Sequence, residues 1–243
     1  MTESLFVNYD KIEHAIIQVC DHMEKQRNAC ASWKDFTEEQ LWVELVSCIL
    51  GSRVRYETAK ACSRHLYELD LLDIEKILEK PVAIKEEIRK KLSEPIYPPF
   101  SKSGRGTKYR YPNSKSQFIV QNAIGLYTGD SIRDILSRSY DGQEARQTLI
   151  ERCKGVGPKQ ASLFLRNIRF SDDVAILDCH VNRYMDMLQL SERYHQISAV
   201  KMQPYLKKEN ILRMYAISKN KSIATIDIGI WIVMRLIKKE GRQ

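Results

Sequence analysis

Residues 143–168 decide the fold: Gln143-Glu-Ala-Arg-Gln-Thr-Leu-Ile-Glu-Arg-Cys153, then Lys154-Gly-Val-Gly-Pro-Lys159, then Gln160-Ala-Ser-Leu-Phe-Leu-Arg-Asn-Ile168. The first stretch reads as a helix. A Gly-x-Gly turn follows, where glycine lets the backbone bend with no β-carbon in the way. From Lys159 the chain turns helical again, with Ala161, Phe164, Leu165 and Ile168 recurring at i, i+3, i+4 and i+7. The unit is helix, tight glycine turn, helix. Free N–H groups at the turn and at the start of the second helix then point outward, an arrangement suited to a phosphate.

The rest of the chain reads as helical as well. Ile12, Ala15, Ile16, Val19 and Met23 share one face over 9–24, and Thr37-Glu-Glu-Gln40 forms a capping box before the apolar segment 41–50. Further helices are expected at 55–69, 72–80, 83–93, 116–127, 131–137, 180–189, 197–218 and 222–238. Adjacent prolines in Glu94-Pro-Ile-Tyr-Pro-Pro-Phe100 stop the run. Residues 101–116 read as a loop in which Lys102, Arg105, Lys108, Arg110 and Lys115 are interleaved with Tyr109 and Tyr111. No acidic residue occurs from Pro95 to Gly129. Such a loop is either a solvated linker or a strand-contacting element, with cations on phosphates and aromatics able to stack on bases. Residues 170–179 are too short and too β-branched for a helix and read as an extended crossing.

The chain has 243 residues, 43% of them hydrophobic, and a net charge of +8, a balance that suits a polyanionic partner. No apolar run is long enough to span a membrane, and residues 1–10 lack a signal-peptide core. An intracellular location, cytoplasm or nucleoid, is the expectation. The six cysteines (20, 30, 48, 62, 153 and 179) form no Cys-x-x-Cys pair. They are expected to be reduced and mostly buried, with no iron–sulfur cluster and no bound metal.

Lys154–Lys159, its helix, and Ile176-Leu-Asp-Cys-His180 resemble the helix-hairpin-helix DNA glycosylase superfamily, in particular its small archaeal and bacterial 8-oxoguanine glycosylase/AP lyases. The resemblance is strongest over 145–185 and extends to 41–62, 109–125 and 221–239. Cys153-Lys154 replaces the usual Leu-Pro, Gly51-Ser-Arg53 stands where the superfamily has a glutamine-containing loop, and the tail Glu240-Gly-Arg-Gln243 does not match the family's recognition ending.

The resemblance implies an all-α fold of two helical lobes with a DNA-binding cleft between them. One lobe would be 37–170, ending in the helix-hairpin-helix at 143–168. The other would combine 1–36 with 171–243. It implies a monomeric base-excision enzyme acting on double-stranded DNA with a damaged base, needing no cofactor. Carbonyls of the hairpin often bind a monovalent cation in this family.

Lys159 would be the Schiff-base nucleophile, or else a phosphate-binding lysine. Asp178 would stabilise positive charge on the sugar, a role compatible with capping the helix near His180. Lys154, Gly155, Val156 and Gly157 would hold a phosphate through backbone N–H groups, with φ > 0 expected at Gly157. His180, Lys108 and Arg110 would contact the strand. Arg53 would enter the space vacated by the flipped base, or lie at the surface. Trp231 and Asp227, in Ala224-Thr-Ile-Asp-Ile-Gly-Ile-Trp231, would face the base or form part of an amphipathic closing helix. Glycosylase action on another lesion and a non-catalytic helix-hairpin-helix module remain the alternatives; the second needs the glycines but not the Lys159 and Asp178 pair.

Overall fold

The computed structural model describes residues 9–25, 32–96, 106–196 and 202–240. The order is α1 (Tyr9–Lys25), a 3-10 turn (Trp33–Asp35), α2 (Glu38–Leu50), α3 (Tyr56–Glu68), α4 (Ile74–Glu79), α5 (Pro81–Ser93), β1 (Pro95–Ile96), β2 (Thr107–Lys108), α6 (Pro112–Tyr127), α7 (Ile132–Arg138), α8 (Gly142–Arg152), α9 (Pro158–Asn167), α10 (Cys179–Met187), α11 (Leu190–Arg193), α12 (Pro204–Ser218) and α13 (Ile223–Glu240). The fold is helical, relieved by one antiparallel pair of two-residue strands. No helix among the described residues is long and apolar enough to cross a membrane. The chain divides into a bundle unit, Ala31–Ser171, and a terminal unit, Met1–Cys30 with Asp172–Gln243.

In the bundle unit, α2 is the central element, with Leu41, Trp42, Leu45, Val46, Ile49 and Leu50 fully buried. Its start is fixed by the Thr37 capping box read from sequence. Trp42 donates its indole N–H to the Leu72 carbonyl at 3.0 Å, so a large apolar side chain is buried with its one polar atom satisfied. Glu38, in the first turn, accepts from Ile132 N (2.9 Å) and Arg133 N (3.1 Å), closing the start of α7.

Two expectations are corrected here. Residues 31–36 belong to the bundle unit, not the other lobe. Trp33 packs on Phe170 at 5.7 Å, and Arg133 binds the carbonyls of Lys34 and Phe36. The stretch 101–116 is not one loop. Lys102 and Arg105 lie outside the described residues, but β2 pairs with β1, and α6 begins at Pro112, where a missing N–H costs nothing. Tyr109 is a core residue, 4% exposed, with its hydroxyl donating to the Leu50 carbonyl at 2.7 Å. Just past β2 the chain turns Tyr109 inward, and Lys108 and Arg110 on either side of it are exposed.

The terminal unit is built on α1 against α13. Ile12, Ile16 and Cys20 pack with Ile223, Ile226, Ile230 and Met234, and with Val181, Tyr184 and Tyr215 from α10 and α12. The Tyr184 and Tyr215 hydroxyls share a hydrogen bond of 2.7 Å, and Tyr215 donates to Glu13 at 2.7 Å. The extended segment before α10 has no sheet partner. Its backbone is satisfied by side chains: Ala175 N donates to Glu209 (2.8 Å), Ile176 N to Asp227 (2.8 Å) and Leu177 N to the Tyr205 hydroxyl (3.3 Å). Cys20, Cys48, Cys62 and Cys153 are buried free thiols and Cys179 is exposed; Cys30 lies outside the described residues.

Gly229 sets the approach of α1 to α13. A β-carbon there would lie 2.6 Å from Cys20 Sγ and 3.2 Å from the Ile16 carbonyl oxygen. Gly229→Ala is expected to cost about 1–3 kcal/mol through overpacking. In a Cys20→Ala background, where the sulfur is gone, the loss should be smaller. Equal losses by urea denaturation in the two backgrounds would show that the helices do not meet at this glycine.

Candidate active site and nucleic-acid interface

The hairpin between α8 and α9 is built from two glycines in different states. Gly155 has φ +76, and a β-carbon on it would overlap the Phe118 ring of α6. Gly157 is the N-cap of α9 with φ −105 and ψ −178, ordinary extended backbone, and a β-carbon there would meet only Gln160 Oε1 at 3.4 Å. The left-handed residue is therefore Gly155 rather than Gly157. The turn reverses at its third residue, closed by Val156 N donating to the Cys153 carbonyl at 3.3 Å, and then straightens into the helix.

Asn122 of α6 clamps the turn. Its Oδ1 accepts from Lys154 N at 2.6 Å and its Nδ2 donates to the Lys154 carbonyl at 2.9 Å. Asn122 is 1% exposed, on a helix face otherwise made of Ile119, Val120, Ala123 and Leu126. The clamp also corrects the inventory of phosphate donors. The N–H groups of Lys154 and Val156 are already spent. Those of Gly155, Gly157 and Lys159 have no acceptor among the described residues, nor do the carbonyls of Gly155 and Val156 have a donor.

Lys159 is the second residue of α9, after Pro158 at its first position; the helix start has no side-chain cap and no acidic residue in its first turn. Its side chain is half-buried beside α2. Lys159's positive charge is felt at Cys48, whose thiol burial nevertheless pushes well above the ordinary range. One turn earlier on α2, Glu44 accepts from Lys60 Nζ at 2.6 Å and from Asn167 Nδ2 at 2.7 Å, which ties the last residue of α9 to α2.

Arg53 sits in the turn after α2 with φ +59, a left-handed conformation uncommon for a residue with a β-carbon, and its side chain is exposed. Arg110 lies over the Tyr111 ring at 5.3 Å. Arg53, Lys108, Arg110, Lys154, Gly155, Val156, Gly157 and Lys159 all belong to the bundle unit.

In the terminal unit, Asp178 is the N-cap of α10. Its Oδ1 accepts from His180 N at 2.8 Å and Val181 N at 2.9 Å, while Oδ2 takes no hydrogen bond among the described residues. The approach to it is fixed on both sides. Asp227, 2% exposed, holds Ile176 N, and Asn182 donates to the carbonyls of Leu177 (3.2 Å) and Asp178 (2.7 Å). Asp227 thus supports the segment that carries Asp178. Trp231, one turn further along α13, is half-buried, with Arg235 4.8 Å above its ring. The ligand-type atoms of Asp178, Cys179 and His180 fall within 4.8 Å of one another, with Asp178 Oδ1 committed to the helix cap.

Sequence reading missed Asn122, Phe118, Glu44 and Tyr205. Asn122 had a signal, an amide on an apolar helical face; the other three are ordinary in sequence and gain their roles from packing. Gly155→Ala is expected to destabilise the protein by about 1–3 kcal/mol, combining an unfavourable φ with ring overlap, and Gly157→Ala by less than about 0.5 kcal/mol. A denaturation series giving the reverse order would overturn this assignment of the turn.

Comparison with known proteins identifies the family. Residues 22–221 match the family model described as 8-oxoguanine DNA glycosylase. The 8-oxoguanine DNA glycosylase/AP lyase of Methanocaldococcus jannaschii is 27% identical over 220 residues, covering 88% of this chain and 89% of the relative. The crystal structure of the Thermotoga maritima 8-oxoguanine DNA glycosylase superposes with a TM-score of 0.62 at 25% identity, covering 92% of this chain and 93% of that one. The Methanocaldococcus jannaschii glycosylase/lyase in complex with a 15mer DNA containing 8-oxoguanine gives 0.57 at 25% identity, covering 91% and 88%. With a glycine hairpin opening onto Lys159, Asp178 capping α10 and a family match over most of its length, the chain belongs to the 8-oxoguanine DNA glycosylase family.

Proposed function

We propose that this protein removes 8-oxoguanine from duplex DNA and then cleaves the strand, with Lys159 as the nucleophile. The observation that carries this reading is the position of Lys159, the second residue of a helix whose positive end is neither capped nor neutralised, directly after a phosphate-sized turn. The damaged nucleotide must leave the stack to be reached. The Lys159 amine, in its neutral form, attacks C1′. The bond from C1′ to the base nitrogen breaks, the electron pair leaves with the base, and a proton neutralises it. Opening of the sugar ring gives a Schiff base between Lys159 and C1′. Loss of a C2′ proton then expels the 3′ phosphate by β-elimination. Water finally releases the lysine, so atoms and charge balance with no redox partner.

Asp178 supplies the carboxylate for the positive charge that develops on the sugar. One oxygen locks it to the start of α10 and leaves the other available, so the group is oriented before the reaction begins. The hairpin N–H groups of Gly155, Gly157 and Lys159 take a backbone phosphate, and His180, Arg53, Lys108 and Arg110 add strand contacts. The unpaired carbonyls of Gly155 and Val156 fit a monovalent cation, a group of the wrong sign for the N–H donors beside them. Bound there, such an ion would add positive charge beside the phosphate-binding turn. Trp231 offers a face for the extruded base, and Asp227 keeps the adjoining segment in place.

Borohydride reduction during reaction with an 8-oxoguanine duplex tests the nucleophile. Wild type is expected to be trapped on DNA, and Lys159→Gln to lose both trapping and strand cleavage while binding DNA with nearly unchanged affinity. A trapped Lys159→Gln complex would assign the nucleophile elsewhere. For Trp231→Ala, excision of 8-oxoguanine should fall by about tenfold or more, since each base–aromatic stack is worth roughly 1–3 kcal/mol. Cleavage at a preformed abasic site, which has no base to stack, should change little. Equal losses on the two substrates would make Trp231 a packing residue.

A further inference from the structure

Lys115 is a lysine in a place lysines rarely occupy. It lies in the first turn of α6 and is only 5% exposed. Its ammonium takes no hydrogen bond or ion pair among the described residues, and its nearest aromatic neighbour is the Phe118 ring at 5.4 Å. Because no fully covered side-chain donor goes unpaired among those residues, the small exposed part must include the ammonium itself. The stem is packed away and the charge alone reaches the surface. The undescribed stretch 97–105 supplies no counter-charge either, since nothing from Pro95 to Gly129 is acidic.

What Lys115 does face is more positive charge. Burial pulls its ammonium below the ordinary lysine range, and the positive charge of Arg53 adds to the same effect. Helical side chains lean toward the N-terminus of their helix, so a lysine in the first turn aims its ammonium at the helix start. That start has no side-chain cap and no acidic residue. Pro112 fills its first position, and the N–H groups of Asn113 and Ser114 have no acceptor among the described residues. Three positive features belong to this part of the bundle unit, with no acidic residue on the first turn of α6: the ammonium of a lysine whose stem is packed away, a guanidinium on a left-handed turn, and the positive end of a 16-residue helix. A partly desolvated ammonium without a counter-charge gains more from an anionic ligand than a fully solvated one.

We propose that Lys115, Arg53 and the first turn of α6 bind one phosphodiester of the DNA backbone, a second anchoring point beside the phosphate taken by the hairpin. The proposal rests on the DNA reading above. The two anchors are mechanically joined, because the Phe118 ring that underlies Lys115 also fills the space over Gly155, and Asn122, one turn further along α6, clamps Lys154. A phosphodiester suits the site better than a base edge. Its charge answers all three features at once, whereas a base offers only partial charge to a desolvated ammonium.

The test uses the full chain with duplexes carrying 8-oxoguanine opposite cytosine, 8-oxoguanine opposite adenine, or no lesion, and reads affinity by anisotropy across a salt series. Lys115→Met should weaken binding to all three by a similar factor, on the order of tenfold, and reduce the slope of log affinity against log salt by about one. Lys115→Arg should keep the wild-type slope. The thermal midpoint of Lys115→Met should equal or exceed that of wild type, because a desolvated charge has been removed; a lysine with a purely structural role would give a lower one. If Lys115→Met does not fold, Lys115→Gln takes its place in the same series. An unchanged slope overturns the proposal, as does a loss that depends on the opposite base, which would assign the lysine to the orphaned base. If wild type itself fails to bind lesion DNA, it is the DNA reading that falls, and the phosphate site with it.

Discussion

One buried amide holds the hairpin. Asn122 takes both the N–H and the carbonyl of Lys154, and with Phe118 it fixes the only left-handed glycine among the described residues. A turn of this kind has few internal hydrogen bonds, so left alone it would sample many conformations. Binding both backbone groups of one residue to a rigid helix removes that freedom. Leaving either group of the buried amide unpaired costs about 1–3 kcal/mol, which penalises any other placement of the turn. The start of α9, and with it Lys159, follows from this clamp at one end and from the Glu44 bond to Asn167 at the other.

The terminal unit solves the same problem with different residues. The segment 172–178 carries Asp178 into α10 without belonging to a helix or sheet, and Glu209, Asp227 and Tyr205 each take one of its backbone N–H groups. In both units an irregular stretch that presents a candidate catalytic residue, Lys159 or Asp178, is held by polar side chains from neighbouring helices. Helix-to-helix packing supplies the rigid frame, and buried hydrogen bonds transfer that rigidity to the working segment.

Charge is distributed by the same economy. Surface pairs such as Arg152 with Asp130 and Lys221 with Asp21 and Glu24 are distributed over both units. The first turns of α6 and α9, by contrast, contain no acidic residue and no cap. Other helices of the chain start with a side-chain cap from Thr37, Asp73, Ser131, Asp141 or Asp178. Starts without a side-chain cap also occur at α3, α5, α11 and α12; those of α6 and α9 carry Lys115 and Lys159 in their first turns, where an external anion can take the place of the missing cap.

Much of this was legible in the chain itself. The helical period over 9–24, 41–50 and 159–168, the Thr37 capping box, and the glycine turn before Lys159 are local signals, written in neighbouring residues and read without knowing the fold. Family membership followed from the same short motifs. The sequence by itself therefore determined the all-helical class, the hairpin and the identity of Lys159 and Asp178 as the residues to ask about. It did not determine which glycine turns left-handed, that Tyr109 leaves a basic stretch for the core, that Asp227 holds Ile176, or that Lys115 is covered rather than solvated. The first three depend on a partner far away in the chain, Phe118 for Gly155, the Leu50 carbonyl for Tyr109 and the segment before α10 for Asp227, and the fourth on how the helices pack around Lys115. Helix periodicity reports which face is buried, but which polar group meets which across that face is fixed only when the helices pack, and only the tertiary structure could decide it.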